Sequence, residues 1–103
     1  QSRDLMYVDD AVDAFLIMGG HEKSIGEVVN FGTGKDTRII DLAKTIIKVS
    51  NSKSNIKHLP PRLSEVKRLC CDASKAKKLF DWEARISLEE GLKKNIEWVL
   101  NTK

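Results

Sequence analysis

The sequence predicts an α/β chain, more narrowly an α+β piece of one: a small mixed sheet with three to four helices. Three observations carry this expectation. Runs with strand character and runs with helical periodicity follow one another as strand, helix, strand, helix, strand, helices. The chain has 103 residues, room for one domain and a single small core. Its 41% apolar and 32% charged residues are the balance of an ordinary globular chain, not of disorder or a coiled coil.

Each element follows from local signals. Asp4-Leu5-Met6-Tyr7-Val8 reads as a short strand. Asp9 or Asp10 then caps a helix, a side-chain oxygen taking an orphan backbone N–H. Val12, Phe15, Leu16 and Ile17 form its apolar stripe, and Gly19-Gly20 stops it, as residues able to take positive φ should. The β-branched run Glu27-Val28-Val29-Asn30-Phe31 after Gly26 predicts a strand. Gly32-Thr33-Gly34-Lys35 is a turn, and Thr37 caps a helix over about 38–50 that carries Ile39, Leu42, Ala43, Ile46 and Ile47 on one face. Residues 50–55 are polar and turn-rich, hence a loop. Ile56 to Leu59 reads as a short strand ended by Pro60-Pro61, which force extended backbone. Val66 to Cys71 is extended, and Asp72 caps a helix in which Ala73, Ala76, Leu79 and Phe80 cluster. Ser87-Leu88-Glu89-Glu90 is a capping box opening a last helix over about 88–101, with Leu88, Leu92, Ile96, Val99 and Leu100 facing inward.

Charge and composition remove several function classes. The net charge is +3, with the first 51 residues acidic and the rest basic. The lysines of the basic half are spread over helical faces and do not interleave with aromatics, which argues against a nucleic-acid platform. The longest apolar run, Ala14 to Met18, is too short to span a membrane. The start carries no secretory leader, and the expected compartment is the cytoplasm. Cys70 and Cys71 are adjacent, a spacing that suits neither a disulfide nor a chelating pair, and read as small apolar residues in a reducing compartment. His21 and His58 stand alone, so no metal site is expected.

The candidate chemistry is sparse. Gly32-Thr33-Gly34-Lys35 lacks the earlier glycine and following Ser or Thr of a phosphate loop, since Val29 and Asp36 stand there. Thr37 stands where the third glycine of the dinucleotide fingerprint belongs. Arg62 and Glu65, three apart behind two prolines, could bind a diphosphate through the guanidinium fork and ribose through the carboxylate. A surface ion pair worth ~0–1 kcal/mol is the plainer alternative. Arg3-Asp4 is equally open between a ligand contact and an ion pair. No Ser–His–Asp, Cys–His or Tyr-x-x-x-Lys arrangement is present: the one tyrosine is Tyr7, and Ala11 lies four residues on.

Four blocks in order resemble a known superfamily. Gln1-Ser2-Arg3-Asp4-Leu5-Met6-Tyr7-Val8-Asp9-Asp10 is similar to the Gln-x-Arg-Asp-Phe-x-Tyr-Val-x-Asp segment of NAD-dependent nucleotide-sugar epimerases and dehydratases, the extended short-chain dehydrogenases/reductases. Gly26 to Gly34 resembles their Gly-x-x-x-Asn-Ile-Gly-x-Gly stretch, and Pro61 to Ala76 their Pro-x-Arg-x-Gly-Asp/Glu block followed by Asp-x-Ser-Lys-Ala. Trp82 and Ser87 to Leu92 complete the pattern. Ser64 replaces the usual glycine, and Leu69 stands where some members have an aromatic.

The resemblance implies a parent enzyme in which tightly bound NAD oxidises C4 of a nucleotide sugar, with a Tyr base assisted by a Lys. The cofactor fingerprint and both catalytic residues belong to an N-terminal Rossmann domain outside residues 1–103. On this chain it implies substrate contacts: Arg3 and Arg62 on the diphosphate and Glu65 near the ribose. Residues 1–103 are therefore expected to be a single partial domain, the C-terminal nucleotide-sugar-binding part of an extended Rossmann-type enzyme. It would hold no NAD alone, have no catalytic residue of its own, and meet a nucleotide-diphosphate sugar and a complementing Rossmann domain. The alternative is a stand-alone interaction module forming homo-oligomers. Neither nucleic acid nor membrane is an expected partner.

Overall fold

A dipeptide near the start of the chain pairs with two dipeptides far along it, and this sets the architecture. In the computed structural model, which describes residues 1–102, β1 (Ser2–Arg3), β2 (Thr37–Arg38) and β3 (Arg68–Leu69) form a sheet of order β2-β1-β3. β1 is antiparallel to β2, with Ser2 opposite Arg38 and Arg3 opposite Thr37. It is parallel to β3, with Ser2 opposite Arg68 and Arg3 opposite Leu69. The described residues also form four helices, α1 (Val8–Gly20), α2 (Ile39–Ser50), α3 (Ser74–Phe80) and α4 (Leu88–Asn101), and one 3-10 turn at Glu22–Ser24. The result is the small mixed sheet and helices that the sequence predicts.

Three carboxylates hold these pieces together. Asp36, just before β2, accepts from Ser2 Oγ at 3.0 Å and Arg68 Nε at 2.8 Å, joining all three strands. Asp4 accepts from the amides of Thr33 (3.1 Å), Gly34 (3.0 Å) and Cys71 (3.3 Å) and from the Thr33 hydroxyl. Asp10, buried in α1, accepts from the amide of Arg85 at 3.1 Å and that of Ile86 at 3.0 Å, fastening α1 to the segment that leads into α4. Asp4 and Asp10 replace water for backbone donors that a thin sheet cannot pair.

The apolar core is slight. Ala14, Ala76 and Trp82 are its buried members, with Met6, Ile17, Val29, Phe31, Phe80 and Ala84 packed around them. Phe31 meets the Trp82 ring edge-on at 4.9 Å and stacks beside Phe80 at 6.2 Å, geometries that favour aromatic pairs. A second layer forms where α2 lies against α4.

Local signals predict some elements closely and others poorly. α2 and α4 fall within one residue of their expected bounds, and Ser87 caps α4 by accepting from the Glu90 amide at 3.2 Å. The strand expected over residues 4–8 is replaced by β1 at Ser2–Arg3, because from Asp4 onward a side chain makes the cross-chain bonds. Neither Asp9 nor Asp10 caps α1; the helix begins at Val8 behind an extended Tyr7, and both acids sit in its first turn, where they suit the positive helix end. Gly19-Gly20 end α1, but the exit is through His21 at φ −102°, not a left-handed residue. The expected inner stripe is mostly outside: Val12, Phe15 and Leu16 are exposed, while Asp10 and Ala14 face inward. Residues 27–31 form no strand, having no partner among the described residues. Arg38, not Thr37, precedes α2, and Thr37 belongs to β2. Residues 56–59 form no strand, and the extended stretch 66–71 pairs only at Arg68–Leu69. Asp72 receives the Ser74 amide at 3.0 Å from one residue before the helix boundary.

Candidate functional site

The alternation of side chains along a strand sorts the start of the chain into two faces. Ser2 points to one, where it meets Asp36. Gln1 and Arg3 share the other. The Gln1 amide nitrogen donates to the Glu65 carboxylate, and Arg62 Nε donates to the other Glu65 oxygen at 2.6 Å. The loop behind the two prolines is thereby tied to the residue that leads into β1, the central strand of the sheet. Both donors hold the Glu65 carboxyl below the usual carboxylate range, Arg62 more strongly than Gln1.

The two guanidinium groups differ in their freedom. Arg62 is almost fully exposed and uses Nε for Glu65, which leaves its two terminal nitrogens without partners among the described residues. Arg3 is half-buried and donates from Nη1 to the Ser2 carbonyl at 2.7 Å. The Arg62–Glu65 ion pair weighed from the sequence forms; an Arg3–Asp4 pair does not, because Asp4 serves backbone amides instead. Chemically, the arrangement offers an outward guanidinium fork, a carboxylate of lowered pKa beside it and a second cation along the same strand face. Such a set can orient an oxyanion and an adjacent hydroxyl group.

Two clefts lie elsewhere. One of about 860 Å³ sits between the Gly32–Lys35 turn, the start of α3 and residues 82–88, and one of about 360 Å³ lies between α1, α2 and α4. Neither is lined by Arg3, Arg62 or Glu65.

The Gly32-Thr33-Gly34 turn does not suit a dinucleotide. A phosphate bound there needs free backbone amides, and those of Thr33 and Gly34 are already given to Asp4. A Cβ on Gly32 would come within 2.5 Å of Cys71 Cβ and 2.8 Å of Asp4 Oδ2, so this glycine serves close packing of three segments. Burial first, then the Asp4 charge, pushes the Cys71 thiol up. Among the described residues no three His, Cys, Asp or Glu side chains cluster to hold a metal ion, and no helix is long and apolar enough to cross a membrane.

Sequence reasoning passed over Gln1, Asp36 and Asp10 as functional supports. Gln1 and Asp10 lay inside the Gln-x-Arg-Asp and Val-x-Asp blocks, which was their signal; Asp36 had none, because its partners are 34 and 32 residues away.

A family model described as GDP-mannose 4,6 dehydratase matches residues 1–95. The UDP-glucose 4-epimerase of Mycolicibacterium smegmatis is 33% identical over 97% of this chain and 32% of its own length. An epimerase of Methanothermobacter thermautotrophicus superposes with a TM-score of 0.92 at 30% identity, over 98% of this chain and 30% of that one. The UDP-glucuronic acid 4-epimerase of Bacillus cereus, solved with UDP-glucuronic acid and NAD, gives 0.88 at 28% identity, over 100% of this chain and 33% of that one. The chain thus spans about a third of the length of the relatives it matches. Residues 1–103 belong to the GDP-mannose 4,6 dehydratase family of NAD-dependent nucleotide-sugar epimerases and dehydratases.

Proposed function

We propose that residues 1–103 are a single partial domain, the C-terminal nucleotide-sugar-binding part of such an enzyme, working in the cytoplasm. Arg62 and Arg3 hold the two phosphates of a nucleotide-diphosphate sugar, and Glu65 accepts from a ribose hydroxyl. The observation that carries this reading is the Gln1–Glu65–Arg62 cluster on the Arg3 face of β1, in a chain whose Bacillus cereus neighbour was solved with a UDP sugar. Glu65 fixes Nε of Arg62 and leaves the terminal nitrogens for two parallel bonds to phosphate. NAD belongs to the rest of the enzyme, because the one glycine-rich turn here has spent its amides on Asp4.

The chain alone has no catalytic role in this account. Incubation of the isolated chain with NAD and UDP-glucose, UDP-glucuronic acid or dTDP-glucose is expected to give no epimer and no 4-keto product. Turnover by the chain alone contradicts it. A second reading, a stand-alone oligomerising module, is favoured by the exposed apolar residues of α1. Sedimentation equilibrium showing only monomer at high concentration removes that reading.

A further inference from the structure

The larger cleft, of about 860 Å³, lies outside the Arg3, Arg62 and Glu65 cluster and has the size of a small-molecule site. Its walls come from three separate parts of the chain: the Gly32–Lys35 turn with Thr37, the start of α3, and the 82–88 segment. Two carboxylates hold the backbone of those walls. Asp4 takes the amides of Thr33, Gly34 and Cys71, and Asp10 takes those of Arg85 and Ile86. The walls are thus set before any ligand arrives, which lowers the ordering cost of binding.

Charge selects the ligand. Five charged side chains line the cleft, and three of them are engaged. Lys77 Nζ lies 3.1 Å from Glu83 and 2.8 Å from Asp81, and Asp72 receives the Ser74 amide at 3.0 Å. Lys35 and Arg85 remain. Among the described residues both bond through their backbones only, Lys35 with the Thr33 hydroxyl and Arg85 with Asp10. An ammonium and a guanidinium fork opening on one cleft suit a dianion, and the fork matches the oxygens of a phosphate. A metal ion has the wrong sign, and a nucleobase finds nothing to stack on, since Trp82, the one aromatic in the lining, is 6% exposed. Hydroxyl groups do find partners. The Thr37 hydroxyl is without a partner among the described residues, and that of Ser87 accepts from the Glu90 amide and keeps its own proton to donate. Leu5, Ile86 and Leu88 add the apolar surface that the C–H face of a sugar ring covers.

We propose that this cleft is a second ligand site, for a phosphate monoester carried on a hydroxylated body, with Lys35 and Arg85 on the phosphate and Thr37 and Ser87 on the hydroxyl groups. It stands apart from the diphosphate reading, because none of Arg3, Arg62 and Glu65 lines it.

The probe is glucose 6-phosphate, titrated into the isotope-labelled chain at about 0.15 M salt, where loose surface attraction is screened. Amide resonances of residues 33–37 and 83–87 are expected to shift and to saturate with a Kd of about 1 mM. Inorganic phosphate, which lacks the body, is expected to bind at least about 5-fold more weakly. Lys35 and Arg85 are exposed and outside the core, so Lys35→Gln with Arg85→Gln keeps the fold, and it is expected to weaken glucose 6-phosphate at least about 10-fold. Thr37→Val should weaken the ester about 3-fold and leave inorganic phosphate unchanged. Arg3→Gln with Arg62→Gln should leave the ester unchanged as well. No saturating shift at these residues overturns the proposal, and so does binding that survives the Lys35 and Arg85 substitutions. Equal affinity for inorganic phosphate and the ester overturns the class of ligand. Loss of ester binding in the Arg3 and Arg62 variant overturns the separateness of the site, whereas failure of that variant to alter UDP binding touches only the diphosphate reading.

Discussion

Asp36 shows how a single side chain can stand in for a sheet. Its carboxyl is lowered from 3.8 to about 2, first by the Arg68 bond and then by Ser2. The folded form therefore holds the charged carboxylate more strongly than the unfolded chain does. That contribution is complete above about pH 4 and disappears as pH falls toward 2. Melting temperatures of the wild type and Asp36→Asn should differ by a constant gap above that range and converge below it. A gap that persists to pH 2 contradicts the assignment. Gly32 makes a steric counterpart. With Cys71 Cβ 2.5 Å from the place an added methyl would take, Gly32→Ala should cost about 1–3 kcal/mol in chemical denaturation. At Ser64 the sign reverses. Its φ of +65° is a conformation that favours glycine, so Ser64→Gly should raise stability by about 0.5–1 kcal/mol. The sequence comparison with related blocks already marked this position as a departure from glycine, and the backbone has kept the shape glycine would allow.

At the level of elements, α2 and α4 were legible because their signals are local. Ile39, Leu42, Ile46 and Ile47 recur at the helical period, and Ser87 sits three residues before Glu90. The sheet was not legible, since its strands are two residues long and Ser2 finds partners at Arg38 and Arg68 through register that no local pattern encodes. α1 misled for a different reason. Its large apolar residues were expected inside, yet the inner side is taken by Ala14 and the Asp10 carboxylate, whose small size lets the 82–87 segment approach. That segment depends on Asp10 for its amides. Asp10→Ala should destabilise by about 1–3 kcal/mol, because two part-buried backbone donors lose a charged acceptor. The denaturant midpoint should fall with an unchanged slope. A loss below about 0.5 kcal/mol, the range of an ordinary surface change, contradicts the role given to Asp10.

Across the whole molecule, family membership was legible from four short blocks, and Asp4 and Gln1 of the first are bonded to residues of the second and third. The site was half legible. Arg62 and Glu65 were visible as a pair, and strand alternation explains why Gln1 brings them to the Arg3 face. The thinness of the core was hidden, because periodicity reports that a face is apolar and not what covers it. The central claim concerns the diphosphate. Titration of the isotope-labelled chain with UDP, followed by amide resonances, tests it most directly. The account predicts shifts at residues 1–3 and 62–65 that are lost in Arg3→Gln with Arg62→Gln. Shifts confined to the Gly32–Lys35 turn, or unchanged by that double substitution, would contradict it.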